Sequence, residues 1–301
     1  MEREYRIGVE RMIDYRKGSD IESMEIYSAF SLGFSDYMIK FDMEAPAFFE
    51  RFFGAEGNQY ELSYVAFDGE QAIGVLLGGI KVLNGYKTLR CGALAVAPEY
   101  RGKGVSKELM RLHQQAAKNE KCDLMMLEVI AGNDRAIQFY KRENYKPVYD
   151  IRYFTCKGME FKRKTKDQKS EINPVSIKSL ELIELKQRGA HKLKEHFNWQ
   201  GDFEYISQLE SIQLYGAFDS QETLIGYTAV DKMGKIYFIW RDKVLSEPHV
   251  YESLVAHVIQ SQMPESIHMS FSNDLELSIF VEEHGFKALS LYQHEMYKVI
   301  F

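Results

Sequence analysis

Hydrophobic residues in this chain recur at two different periods, and the order in which the periods alternate outlines the fold. Residues 12–17 read as a short strand closed by Gly18, and Ser19, Asp20 and Glu22 form a helix start. Met24, Tyr27, Phe30, Leu32, Phe34, Tyr37 and Met38 crowd the helix that follows, and a second helix runs through 47–53 to Gly54. Such aromatic stripes read first as core and only second as the wall of an acceptor pocket. From Tyr60 the period becomes that of strands: 61–67 ends at Asp68-Gly69, 71–83 at Asn84-Gly85, and 86–97 beside Pro98. Connections this tight join antiparallel neighbours. Val105, Leu109, Leu112 and Ala116 then return to helical spacing, followed by a buried strand over 123–129, a helix over 133–144 and a strand or hairpin over 147–156.

After Pro174 the order of elements repeats. Strand and helix cover 177–184, a helical piece 203–209, strands 214–218, 224–231 and 235–240, a helix 251–261, a strand 267–271, a helix 275–283 and a closing strand 289–300. A repeat of about 140 residues fits a duplicated domain, not a solenoid. The stretch between the halves, 157–174, is polar and basic and reads as a solvated linker. The expected division is therefore a first domain over 1–158, a basic linker over 159–173 and a second domain over 174–301. Each half is expected to be α/β (α+β), with a mixed, mostly antiparallel sheet flanked by helices.

One stretch carries the chemistry. Leu94, Ala95 and Val96 end a strand; Arg101, Gly102, Lys103, Gly104, Val105, Ser106 and Lys107 then turn through two glycines into a helix. Backbone N–H groups exposed at the positive end of a helix make an anion site, and pyrophosphate is its usual guest. The counterpart in the second half, Arg241 to Pro248, contains no glycine, so no pyrophosphate can approach its backbone closely.

The stretch Arg101-Gly102-Lys103-Gly104-Val105-Ser106 resembles the (Arg/Gln)-x-x-Gly-x-(Gly/Ala) signature of the GNAT acyltransferase superfamily, with Ser106 in the last place. A second block, Asn133-x-x-Ala136-x-x-Phe139-Tyr140, is similar to that family's Asn-x-x-Ala-x-x-(Leu/Phe)-Tyr helix, with Asn144-Tyr145 where Gly-Phe usually follows. Asn tolerates the left-handed conformation that Gly would supply. The two blocks and the strand order cover residues 60–156, and the resemblance implies a tandem GNAT-like protein whose second domain is degenerate and lacks a cofactor site.

The resemblance further implies acetyl-CoA as acyl donor. The amides of Gly102 to Lys107 would hold its pyrophosphate, with Arg101 either beside the phosphates or simply on the surface. Leu94, Ala95 and Val96 would pair with the pantetheine arm as an added strand and supply an oxyanion donor worth on the order of 3 kcal/mol. Asn133 would bond the same arm or serve as an ordinary helix cap. An alkylamine has a pKa near 10 and arrives protonated, so a base is useful; Glu128, a carboxylate inside an apolar strand, is the candidate, against a half-exposed strand carboxylate. Tyr140 is the candidate general acid for the departing thiolate, against a core tyrosine. In the second half the place of Tyr140 falls on Val281 or Phe280, depending on the anchor, and neither has a hydroxyl.

Composition sets outer limits. A net charge of -6 argues against a general nucleic-acid binder. Cys91, Cys122 and Cys156 offer neither a disulfide framework nor zinc spacing, and the histidines of the second half show no metal-ligand spacing, so no metal is expected. No apolar run approaches a membrane span, and the charged N-terminus reads as that of a cytoplasmic protein. The expected partner is a small-molecule or peptide amine, with a homodimer left open; the alternative is a non-catalytic CoA-binding or interaction protein. G-x-G-x-x-G and P-loop readings fail because the required glycines are absent.

Overall fold

The computed structural model describes residues 12–161, 175–187 and 196–300. The chain forms two compact units: Met1–Val82, Tyr86–Leu127 and Val299–Phe301 in the first, Leu83–Gly85 and Glu128–Lys298 in the second.

In the first unit the expected elements appear in the expected order: β1 (Asp14–Lys17), α1 (Ser23–Gly33), α2 (Ala45–Phe49), β2 (Gln59–Asp68), β3 (Gln71–Leu83), β4 (Tyr86–Val96), α3 (Val105–Asn119) and β5 (Leu124–Ile130). A π-helical turn, Glu50–Ala55, extends α2. The start of α1 is a capping box between Glu22 and Glu25, not the Ser19-Asp20 pair. β1 pairs antiparallel with β2, and β2 with β3, whereas β4 and β5 are parallel from Thr88↔Leu124 to Cys91↔Leu127.

Period-two alternation gives this sheet two covered faces. Ile26, Ala29, Phe30, Phe48 and Phe52 of the first helices pack on Val65, Phe67, Val75, Leu77 and Ala95. The Phe30 ring lies 4.6–5.3 Å from those of Phe34, Phe41, Phe48 and Phe52, contacts each worth about 1 kcal/mol beyond area burial. The aromatic stripe is core. On the opposite face α3 sits close because β3 presents glycines: a Cβ on Gly74 would stand 3.3 Å from Val105, and one on Gly78 3.0 Å from His113.

The second unit contains α4 (Asp134–Arg142), β6 (Lys146–Lys157), β7 (Ser176–Leu180), α5 (Leu182–Gln187), α6 (Phe203–Ile206), β8 (Gln213–Phe218), β9 (Leu224–Val230), β10 (Lys235–Arg241), α7 (His249–Gln262), β11 (Ser266–Ser272), α8 (Leu275–Glu283) and β12 (Lys287–Val299). Its sheet runs β12-β6-β11-β10-β9-β8-β7, antiparallel throughout except for β10 beside β11. Val250, Leu254, Val255 and Val258 of α7 and Leu277, Phe280 and Val281 of α8 close over Phe154, Ile225, Ile267 and Met269.

Two expectations change here. The strand assigned to the end of the first domain, β6, is hydrogen-bonded on both edges by strands of the second half: Ser266↔Lys157 through Ser272↔Ile151 on one side, Lys287↔Thr155 through Tyr297↔Lys146 on the other. Residues 128–158 therefore group with the second unit. The supposed linker also begins inside structure. Residues 158–161 are helical and Phe161 is fully buried beside Phe280, His284 and Phe286. The remainder of the basic stretch, from residue 162, lies outside the described residues.

Candidate active site

Gly104 is the N-cap of α3 with φ 89°, and Gly102 has φ 79°. Both angles are left-handed, which explains glycine at each place. No side chain caps this helix, so the amides of Val105, Ser106 and Lys107 face outward at the positive end of a fifteen-residue helix. A Cβ on Gly102 or Gly104 would meet nothing within 4 Å, so the concavity is open to a ligand. Those features fit a pyrophosphate. Upstream, β4 leaves its parallel partner after Cys91, and Gly92, Ala93 and Leu94 are half-buried, which leaves strand backbone available for pairing. Ala95 and Val96 are buried, and Lys103 lies with its ammonium 5.1 Å from the Tyr100 ring.

Arg101 is not directed outward as a free phosphate ligand. Its guanidinium donates to both carboxylate oxygens of Asp36 at 2.6 Å, to Gly33 O at 3.0 Å and to Val96 O at 2.9 Å. The side chain therefore ties the end of α1 to the end of β4. Gly33 permits that approach, since a Cβ there would sit 2.6 Å from the Cβ of Ala95.

The acid–base candidates belong to the second unit. Asn133 caps α4, its Oδ1 accepting from the amide of Ala136 at 3.2 Å. Tyr140 lies on the buried face of that helix, edge-on to Phe139 and Tyr145. Asn144 adopts φ 68°, and the Tyr145 amide closes onto Tyr140 O at 3.0 Å, as the Asn-for-Gly exchange anticipates. In α8 the matching bond runs from the Phe286 amide to Val281 O, with Gly285 at φ 79°. Val281, not Phe280, thus stands in the place of Tyr140, and it is core.

Glu128 is half-buried on β5. Near it stands a group that sequence reasoning missed: Tyr297 and Glu295, on the last strand. Glu295 is 0% exposed. It accepts from Ser272 Oγ at 2.6 Å, His196 Nε2 at 2.9 Å and Tyr297 Oη at 3.4 Å. The tautomer of His196 follows from its neighbour. Asn84 exchanges a pair of 3.0 Å bonds with the Phe197 backbone, which fixes its amide, so its Nδ2 donates to His196 Nδ1 and the proton lies on Nε2 toward Glu295. Burial first, then the charges of Glu295 and Glu128, hold the Tyr297 phenol far above its ordinary pKa, so it stays a proton donor. The signal available in sequence was period two: Gln293, Glu295 and Tyr297 share one face of a strand.

The second half explains its own lack of a phosphate site. Asp242 Oδ1 accepts from the amides of Val244 at 2.8 Å and Leu245 at 3.0 Å in the turn before α7. Helix α7 opens at Pro248 with no glycine, the Val250 and Tyr251 amides closing onto Glu247 O and Pro248 O at 3.1 Å. Arg241 is bonded to Glu276 and to Ser246 O.

Residues 25–145 match the model of the Acetyltransferase (GNAT) family. Over these residues the chain is similar to GNAT acetyltransferases. N-alpha-acetyltransferase 30 of Schizosaccharomyces pombe is 34% identical over 99 residues, which cover 31% of this chain and 64% of that protein. The N-acetyltransferase YobR of Bacillus subtilis is 32% identical over 77 residues, 26% of this chain and 30% of that protein. The match thus spans less than two thirds of either GNAT relative. In fold, the chain is similar to a tandem GNAT protein from the clavulanic acid biosynthesis pathway, with TM-score 0.62, 13% identity and 96% and 98% of the two chains covered. A GCN5-related N-acetyltransferase from Kribbella flavida gives TM-score 0.61 at 15% identity, covering 96% and 72%.

Proposed function

We propose that this GNAT chain is an N-acetyltransferase that uses acetyl-CoA and acts on a primary amine of a small molecule or peptide by direct transfer. The observation that carries the reading is the uncapped, glycine-opened start of α3, set against the start of α7, which no glycine opens. Bound acetyl-CoA supplies the acyl group as a thioester. Gly102 to Lys107 hold the pyrophosphate with backbone amides, and Leu94 to Val96 offer strand backbone to the pantetheine arm. Glu128 takes the proton that the acceptor nitrogen loses as its C–N bond forms. Tyr140 gives a proton to the sulfur as the C–S bond breaks, so the products are an amide and a free thiol. Neutral amine and thioester react without change of oxidation state. The α-amino acceptor in the fission-yeast relative's name puts peptide N-termini among the amines to be tried.

Steady-state turnover of acetyl-CoA with a panel of amines and N-terminal peptides tests this. Tyr140→Phe and Glu128→Gln are each expected to lower kcat by about 10²-fold or more, and Gly104→Arg to abolish acetyl-CoA binding. Tight acetyl-CoA binding with no turnover of any amine would favour the non-catalytic alternative.

A further inference from the structure

β10 and β11 are paired only through Lys235↔His268 and Ile236↔Met269; beyond that point β10 follows β9 and β11 follows β6. A cavity of about 180 Å³ fills the gap between them. Phe197, Phe238, Met269 and Leu277 form its apolar wall, and Tyr149, His196, Ser272 and Asp274 its polar edge.

The chemistry of this cavity differs from that of the glycine turn. None of its described lining residues is Lys or Arg. The start of α8 is taken by Asp274, whose carboxylate accepts from the Leu277 amide at 2.8 Å. A phosphate finds no Lys or Arg among these residues and meets the Asp274 carboxylate instead, so nucleotide is disfavoured. An aromatic ring or branched aliphatic group gains by leaving water against Phe238, Met269 and Leu277, and a cationic amine on the same molecule meets no repulsion. In size the cavity suits a single ring system.

Its polar edge leads toward Glu128. Tyr149 stacks on His196 with centroids 3.8 Å apart. Both rings lie within 6.3–6.4 Å of Tyr297, whose phenol is close enough to Glu128 to feel its charge. Tyr149 is paired directly opposite Glu295, so these groups share one face of the sheet.

We infer that this cavity is an acceptor subsite: it seats the uncharged aromatic or branched aliphatic body of an amine whose nitrogen extends past Tyr297 toward Glu128. The inference rests on the N-acetyltransferase reading above, and it gives the second half of the chain a role in substrate selection.

Tryptamine, phenethylamine and ethylamine serve as probes, in calorimetric titrations and as acceptors with acetyl-CoA. Met269→Trp and Ser270→Phe each fill the cavity, from its wall and from its polar side, and thermal melts identify the variant that keeps its fold. Tryptamine is expected to bind about tenfold or more tightly than ethylamine, and a folded filling variant to lower the tryptamine-to-ethylamine ratio of kcat/KM by about the same factor. Equal binding of the two amines, or a ratio unchanged in both variants, overturns the subsite. If no amine is turned over, the enzymatic reading fails and the acceptor assignment with it. Tryptamine binding that both filling variants leave intact would show separately that the cavity holds no ligand of this class.

Discussion

Arg101 grips Asp36 with both terminal nitrogens, each 2.6 Å from a carboxylate oxygen. The first residue of the cofactor motif is thereby committed to the segment after α1. Because this pair is partly exposed, its loss should cost only about 1 kcal/mol of stability, but the end of β4 loses its anchor. Arg101→Gln and Asp36→Asn are expected to weaken acetyl-CoA binding alike, by about fivefold, as read by titration at two salt concentrations. A direct phosphate contact would instead make R101Q far more damaging than D36N.

Asp242 ties the turn that precedes α7 through the amides of Val244 and Leu245. Asp242→Ala should cost about 1 kcal/mol, the usual loss for removed hydrogen bonds to backbone, seen as a lower Tm. Acetyl-CoA stoichiometry should stay at one per chain, since no glycine opens that turn. Two molecules per chain in the variant would contradict the account.

Glu56 and Arg90 form an ion pair at 2.6 Å whose side chains are 3% and 8% exposed. The segment that carries Glu56 crosses the sheet over Gly79 and Gly92, where a Cβ would stand 2.3 Å from Gly57 O and from Asn58 Oδ1 respectively. Glu56→Ala leaves a buried guanidinium without its carboxylate and should cost about 3–5 kcal/mol. The double variant Glu56→Leu with Arg90→Met should recover most of that, measured by denaturant unfolding.

His113 is fully buried on α3, and neither ring nitrogen has a partner among the described residues. Burial lowers its pKa from 6.5 to about 3. The unfolded chain therefore binds a proton that the folded chain refuses between those values. The penalty is absent above pH 6.5, grows as pH falls, and saturates below about 3. His113→Leu should flatten this dependence, gaining roughly 3 kcal/mol on the wild type between pH 7 and pH 4. Parallel pH profiles of unfolding free energy for the two proteins would refute it.

Much of the fold was legible because its signals are local. Asp68-Gly69 and Asn84-Gly85 demand tight turns, and the strands on either side begin and end within two residues of where the alternation puts them. Gly102 and Gly104 announced their left-handed angles, and Asn144 its own. Val281 could not be chosen over Phe280 until the Phe286 amide showed which carbonyl it meets.

The sequence by itself determined which residues are strand, which are helix, and where bare amides open a helix, because those depend on neighbours a few positions away. Tertiary structure alone decided the company each strand keeps. Period two says which face a side chain takes and nothing about which strand lies alongside. Hence β6, assigned by order to the first domain, turned out to run between β11 and β12, and Glu295 was found buried among His196, Ser272 and Tyr297. Arg101 likewise found Asp36 across 65 residues of chain. Such contacts are made by hydrogen bonds and burial between segments remote in sequence, and no local pattern encodes them.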